Sequence, residues 1–79
     1  MSDIALAFLS AGFGAGIAVI GGAYGIGRLA SAAMQGIARQ PEAAGDIRGA
    51  MIITAAMIEG VALLALVICF LLSLKTPAV

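Results

Sequence analysis

One long apolar stretch constrains this chain more than any other feature. Residues 50–74 read AMIITAAMIEGVALLALVICFLLSL, and apart from the thiol of Cys69 their only ionisable side chain is that of Glu59. A helix needs roughly 20 apolar residues to cross the hydrocarbon core of a bilayer, which is ~30 Å thick. The stretch is therefore predicted to span a membrane, with Glu59 too deep for its short side chain to reach the surface.

The position of Glu59 has a cost that calls for an explanation. A charged carboxylate at the centre of a bilayer costs at least ~2.5–3.5 kcal/mol on insertion scales. Ionisable residues inside membranes are functional sites by default, so we interpret Glu59 as a proton or ion site. The alternative is a protonated carboxyl that only hydrogen-bonds a neighbouring helix.

The composition excludes several classes of protein. Of the 79 residues, 63% are hydrophobic and only 10% are charged, against ~25% charged in ordinary soluble domains. A soluble domain this short cannot bury so much apolar surface. The four acidic residues balance the four basic ones, so no basic surface for nucleic acid is expected, and the single cysteine excludes an internal disulfide. Because the sequence starts MSD, without a basic segment, no cleavable signal peptide is expected.

A second uncharged stretch, residues 4–27, predicts another spanning helix. Ser2 and Asp3 precede it and are good helix N-caps. The break between the two helices is expected at Pro41, because the residue before a proline is disfavoured in the helical region. Gly45 and Asp46 then offer a turn and a new N-cap.

The predicted fold is an all-α membrane protein, in which residues 1–79 form one transmembrane helical hairpin. Helix 1 is expected at about 3–40, a loop at about 41–45 and helix 2 at about 46–75. Three arginines flank the loop, whereas the other side carries one lysine opposed by an acid. The bias of basic residues to the cytoplasmic side predicts a cytoplasmic loop and both termini outside.

Glycine is unusually frequent in the first helix, although it destabilises a helix by ~1 kcal/mol relative to alanine. At ~100° per residue the small residues fall on two roughly opposed stripes. One stripe contains Gly14, Ala18, Gly21, Gly25, Ala32 and Gly36, and the other contains Gly12, Gly16, Ala23, Gly27 and Ala30. Small faces allow close helix packing, and head-to-tail contacts can close into a ring. We therefore predict a homo-oligomeric ring; a glycine-rich helix inside one compact bundle is the alternative.

Folding the hairpin near Ala43 places Glu59 level with Gly25 to Gly27, where a carboxyl could fit between the helices. Residues at this depth are the expected surroundings of the site: Gly25, Ile26, Gly27, Ala55, Ala56, Gly60, Ala62 and Leu63.

These features together resemble the c subunit family of F-type ATP synthases, the proteolipids of the membrane rotor, over nearly the whole chain. The resemblance rests on the glycine repeat, the loop ARQPE at 38–42 and Glu59 at the expected distance downstream. It implies a rotor ring that turns against the a subunit, thereby coupling ion flow to ATP synthesis, without catalysis by this chain alone. It also implies that Arg39, Gln40 and Pro41 dock the gamma and epsilon subunits of the stalk, and that Glu59 carries the ion. Arg39 could instead only set the topology.

The resemblance also bears on the choice of ion. Sodium-driven members have ligands where this chain has Ile26, Gly60 and Val61, none of which has a side-chain oxygen. We therefore expect H⁺ as the coupling ion, no Na⁺ and no cofactor. Tyr24 is unusually bulky for the repeat and is expected to face the interior of the ring. A polar arc is expected at headgroup level on the same inner face, or else simply solvated: Arg28, Ser31, Gln35 and Arg39.

Two other functional classes remain open at this point. A small transporter would normally have more helices or aromatic substrate contacts, and a pore-forming hairpin such as a holin would not need Glu59 in register with glycines. The expected location is the inner membrane of a bacterium, with a thylakoid membrane as the less favoured alternative.

Overall fold

The computed structural model describes residues 2–75, which form two helices joined by a short turn. Helix α1 runs from Asp3 to Arg39, a 3₁₀ turn covers Pro41–Ala43, and helix α2 runs from Ala44 to Ser73. The two helices pack against each other along their length. Residue 1 and residues 76–79 of the predicted 1–79 hairpin lie outside the described residues.

Helix α1 begins where the sequence predicts. Ser2 has an extended backbone (φ −69°, ψ 162°), and its side chain accepts a hydrogen bond from the Ala5 N–H at 3.2 Å. Asp3 lies in the first turn and Arg39 in the last, so each charge has the sign that the helix dipole favours at that end. The N-cap predicted at Ser2 is confirmed.

The turn is tighter than expected. Gln40 leaves the helical region (φ −134°, ψ 75°), as the residue before a proline tends to do, while its N–H still donates to the Gly36 carbonyl. Pro41 opens the 3₁₀ turn, and the Ala43 N–H closes it on the Gln40 carbonyl at 2.9 Å. The chain therefore reverses direction within a few residues of Pro41.

Helix α2 begins two residues before the start expected at about 46, and the turn and N-cap predicted at Gly45 and Asp46 are not observed. Helix α2 already begins at Ala44, so Gly45 is helical and the loop expected at 41–45 shrinks to the 3₁₀ turn. The reason is that the turn after Pro41 already points the chain into the helix, so that no side-chain cap is needed. Asp46 instead lies in the first turn of α2, where a carboxylate is favoured.

Small residues of α1 set the distance between the helices. A Cβ atom added to Gly36 would lie 3.3 Å from Ile47 Cδ1, one added to Gly25 would lie 3.6 Å from Ile58 Cδ1, and one added to Gly14 would lie 3.0 Å from Cys69 Sγ. In each of the three pairs, the two residues are equally far along the chain from the point between Pro41 and Glu42. The two helices therefore keep one register along the whole hairpin.

These contacts correct the assignment of the first glycine stripe. Gly14 and Gly25 were expected to pack against a neighbouring copy, but they pack against α2 of the same chain. Gly21, from the same stripe, has no atom within 4 Å of an added Cβ, and neither do Gly12, Gly16 and Gly27. The inward face of α1 therefore runs between the two predicted stripes and includes part of the first.

The hairpin has almost no core of its own. The buried hydrophobic residues among those described are Ala7, Ala11 and Ala33, whereas large apolar side chains such as Ile20 and Val61 are 70% exposed. Both helices are long and apolar enough to cross a membrane. Only 11% of the most apolar 18-residue segment of α1 and 6% of that in the second helix is buried. Neither helix is therefore the core helix of a soluble domain.

The helices are longer than a membrane is thick. With ~1.5 Å of rise per residue, the 37 residues of α1 extend ~55 Å, against ~30 Å for the hydrocarbon core. The uncharged part of α1 ends at Gly27, so the excess length lies on the side of the turn.

Candidate ion-binding site

Glu59 lies on the flank of the hairpin. Its neighbour Ile58 faces α1 and packs against Gly25, and consecutive residues of a helix point ~100° apart. The Glu59 side chain is consequently turned away from the seam between the helices and is exposed in the single hairpin. In this hairpin the carboxyl is therefore not enclosed between α1 and α2, where the sequence left room for it.

A depression of about 420 Å³ adjoins the carboxyl on this flank. Both helices line it, and Glu59 is its one titratable group. The other lining residues are small or apolar: Ala18, Val19, Gly22, Ala23, Ile26, Gly27, Ala62 and Leu66. None of these eight has an oxygen atom in its side chain, so Glu59 alone supplies side-chain polarity to the depression.

The carboxyl has no polar partner within the described part of the chain. The side-chain hydrogen bonds among residues 2–75 involve Ser2, Arg28 with Tyr24, Thr54 and Ser73, and none involves Glu59. Among the same residues, no cluster of acidic, cysteine or histidine side chains could hold a metal ion. The single hairpin thus presents one open carboxyl beside an apolar depression.

The structure divides the predicted surroundings of Glu59 into three groups. Ile26, Gly27 and Ala62 line the depression with it. Gly25 and Ala55 are partly covered on the side of the seam, with Gly25 against Ile58. The remaining predicted residues are exposed on α2 and do not line the depression: Ala56, Gly60 and Leu63.

Several lining residues were missing from the predicted site, and periodicity could have found them. Val19, Ala23 and Ile26 recur at the spacing of one helix face, and Gly22 lies between them on the same side. On α2, Leu66 lies two turns from Glu59 on its face. On α1 the prediction counted only depth, which gives the level of a residue but not its direction around the helix.

The predicted loop and polar arc are both exposed. Arg39, Gln40 and Pro41 lie at the tip of the hairpin, accessible to a partner. Arg28, Ser31 and Gln35 share a second depression, which Tyr24 and Ala32 complete and Arg39 does not reach.

The chain matches the family profile of the ATP synthase C subunit over residues 9–72. The match includes most of both helices, the turn and Glu59. The chain belongs to the ATP synthase c subunit family.

Bacterial members of this family are similar along most of this chain. The c subunit of the ATP synthase of Bacteroides thetaiotaomicron is 65% identical over 63 residues, which are 80% of this chain and 74% of that protein. The protein of Phocaeicola vulgatus is 62% identical over 63 residues, covering 80% and 75% of the two chains. That of Lacticaseibacillus casei is 45% identical over 65 residues, covering 82% and 93%.

Family membership establishes the general role of the hairpin. It is a membrane component of the ATP synthase complex from a family that assembles into rings, and it is not catalytic on its own. The exposed apolar surface of the single hairpin agrees with this state, because a ring and its lipid would cover it.

Proposed function

We propose that Glu59 carries protons through the membrane by reversible protonation and thereby couples proton flow to rotation of the ring and ATP synthesis. The proposal rests on the composition of the site. Glu59 is the one titratable side chain at a membrane-level depression that is otherwise lined by apolar residues. A lone carboxyl that stabilised the fold would be expected to bond another group in the hairpin, and Glu59 bonds none among residues 2–75.

A neighbouring hairpin would complete the site. Gly12, Gly16, Gly21 and Gly27 leave open space beside α1, which allows the backbone of another helix to approach closely. Gly27 also lines the depression, so a copy packed there would cover the Glu59 carboxyl. Repetition of this head-to-tail contact closes a ring when the rotation between copies permits.

The chemistry of the depression favours H⁺ over Na⁺. A sodium ion needs several oxygen ligands to replace its water shell, and Glu59 supplies the one oxygen-bearing side chain among the lining residues. A proton needs only the carboxylate and at most one further acceptor. The positions of sodium ligands in related rings are occupied here by Ile26, Gly60 and Val61, which are apolar.

The apolar surroundings also explain how the carboxyl can alternate between two states. A charged carboxylate is costly in lipid, so the proposed mechanism has Glu59 cross the lipid-facing part of the rotation in its neutral form. A cation and a water-filled path on the a subunit favour the ionised form. Loading on one side and release on the other then turn the ring. Each proton that crosses supplies ~2.3 kcal/mol per 100 mV, so several are needed for one ATP.

The exposed tip of the hairpin would contact the stalk. Arg39, Gln40 and Pro41 project on the same side as the excess length of both helices, where the gamma and epsilon subunits can reach them. The excess of arginine on this side supports a cytoplasmic loop, and the bacterial relatives support the inner membrane of a bacterium as the proposed location.

Labelling with a hydrophobic carbodiimide tests the ion assignment. Such a reagent attacks protonated carboxyls, so labelling of Glu59 should fall as the pH rises and should not change with Na⁺. The Glu59→Gln variant measures background labelling of the other acidic residues. Protection of Glu59 by millimolar Na⁺ at constant pH would contradict the proposal.

A further inference from the structure

The guanidinium of Arg28 is held against the membrane-spanning part of α1. Its Nη1 atom donates a hydrogen bond to the Tyr24 hydroxyl at 3.1 Å, one turn back along the helix. Its central carbon lies 5.8 Å from the centroid of the Tyr24 ring, within the range of a cation–π contact. Helical side chains point towards the N-terminus of their helix, so both contacts draw the charge away from the turn.

The register of the hairpin sets the depth of this charge. Gly25 packs against Ile58 across the antiparallel pair of helices. One step back on α1 and one step forward on α2 lead to Tyr24 and Glu59, which are therefore level. Arg28 is four residues, or ~6 Å, nearer the turn, and its contact with Tyr24 removes most of this offset. The charge therefore lies deeper than the headgroup level at which the polar arc was expected.

Among residues 2–75, no other charged side chain comes as close to the level of Glu59. Arg48 of α2 is eleven residues from Glu59, or ~16 Å along the helix. It flanks the apolar run and is exposed on the side of the turn. Each of the other charged residues of the described chain is farther away along the hairpin: Asp3, Arg39, Glu42, Asp46 and Lys75.

Arg28 and Glu59 lie on different sides of α1. The depression of about 330 Å³ that Arg28 and Tyr24 line shares no residue with the one beside Glu59. Ile26 lines the Glu59 depression, and it points ~200° away from Arg28 around the helix. The body of α1, about 10–12 Å across with its side chains, therefore separates the two charged groups.

The residues around the two groups do not neutralise them. Those that line the depression of Arg28 include no acid, and Tyr24 is the one other titratable group there. The residues of both helices that line the depression beside Glu59 are otherwise uncharged. In such surroundings water and salt screen a charge far less than they do at an exposed surface, so the interaction extends across the helix.

We propose that Arg28, held by Tyr24 at the depth of Glu59, stabilises the ionised form of Glu59 electrostatically and thereby sets the pH at which the site releases its proton. This proposal rests on the proposed function of Glu59 as the proton carrier. Attraction over ~12 Å at an effective dielectric constant of ~20 corresponds to about one pH unit. Arg28 travels with the carboxyl, so its effect is present at every position of the ring.

The pH dependence of carbodiimide labelling at Glu59 in the purified oligomer tests this coupling. Arg28→Gln removes the charge, so the labelling profile should move about one unit to higher pH. At a fixed pH on its falling limb, labelling should then rise up to about tenfold. Arg28→Lys keeps a charge and should retain most of the parent profile. Arg48→Gln is the matched control and should move the profile by less than ~0.3 unit, because water and salt screen that charge.

Tyr24→Phe tests the hold on the guanidinium without removing the charge. It keeps the ring but loses the hydrogen bond, so the arginine can extend towards the turn. The profile should move in the same direction as in Arg28→Gln, by about 0.5 unit. This variant decides the question if native mass spectrometry shows that Arg28→Gln does not assemble.

The outcomes separate this proposal from the function on which it rests. If labelling of the parent falls with pH but neither Arg28→Gln nor Tyr24→Phe moves the profile, Arg28 has no such role and Glu59 can still be the carrier. Equal shifts in Arg28→Gln and Arg28→Lys would also overturn the proposal, because the charge would then not be responsible. Labelling of the parent that does not depend on pH would contradict the carrier function itself.

Discussion

The glycines on the two sides of α1 have different surroundings. On the side of α2, a side chain at Gly14, Gly25 or Gly36 would meet Cys69, Ile58 or Ile47 at 3.0–3.6 Å. On the open side, Gly12 and Gly27 have nothing within 4 Å of an added Cβ. The first group lets the hairpin close, and the second leaves room that only another molecule can fill. The same residue type thus serves folding on one face and, as we propose, assembly on the other.

Substitution of a glycine by leucine on each side of α1 should separate closure of the hairpin from assembly of the ring. Of the glycine and turn substitutions, these have the largest expected effect. Gly27→Leu fills the open side and should abolish ring assembly while the hairpin remains helical, because a leucine prevents close approach of a neighbour. Gly25→Leu should prevent assembly and also disturb the hairpin, because its side chain meets Ile58. Native mass spectrometry measures assembly, and circular dichroism measures helix content.

Ile17→Leu is the matched control, because it changes a large, exposed side chain of the same helix without adding bulk at a glycine. This variant should form rings like the parent. Intact rings from Gly27→Leu would remove the distinction between the two sides.

Substitution of glycine by alanine should distinguish the two sides of α1 by its effect on the stability of the hairpin alone. Gly12→Ala should stabilise the monomeric hairpin by about 0.5–1 kcal/mol, because alanine is the better helix former and has open space there. Gly14→Ala should lack this gain, because its Cβ would lie 3.0 Å from Cys69 Sγ and overpacking costs about 1–3 kcal/mol. Thermal unfolding in detergent that dissociates the oligomer gives both values.

The same measurement in a Cys69→Ala background provides the control for this pair. Removal of the sulfur should bring Gly14→Ala closer to Gly12→Ala. If the difference between them is unchanged, the contact between Gly14 and Cys69 does not set the distance between the helices.

Pro41→Ala should have the smallest effect, because it changes neither side of α1. Loss of the fixed φ of proline increases the freedom of the unfolded turn and should destabilise the hairpin by about 0.4–1 kcal/mol. Thermal unfolding in the same detergent measures this effect, with Ala43→Gly as a second change in the turn. If Pro41→Ala destabilised the hairpin more than loss of the helix contacts at Gly25 does, then the turn, rather than the packing between the helices, would hold the hairpin together.

The sequence predicted those features that depend on composition and local chemistry. The two apolar runs predicted both helices, Ser2 was recognised as a cap, and Pro41 as the break. Each of these follows from one residue type or one period. The start of α2 was missed because Gly45 and Asp46 look like a cap, although the turn after Pro41 makes a cap unnecessary.

Direction around a helix was harder to predict than depth along it. The small-residue pattern shows which residues share a face, but both stripes of α1 are equally narrow, so it does not show which one turns toward α2. The contact between Ile58 and Gly25 resolves this, and it also turns Glu59 to the flank. Gly22, whose added Cβ would lie 3.4 Å from the Ala62 Cβ, belonged to neither predicted stripe.

Proton conduction by Glu59→Gln and Glu59→Asp in liposomes containing the complete ATP synthase tests the central claim most directly. The glutamine keeps the size and polarity of the side chain but cannot exchange a proton, so the ring should assemble normally and proton passage should stop. The aspartate keeps the carboxyl but is one methylene shorter, so conduction should be reduced without being lost. Normal assembly of the Gln variant together with proton passage at the parent rate would show that Glu59 is not the carrier.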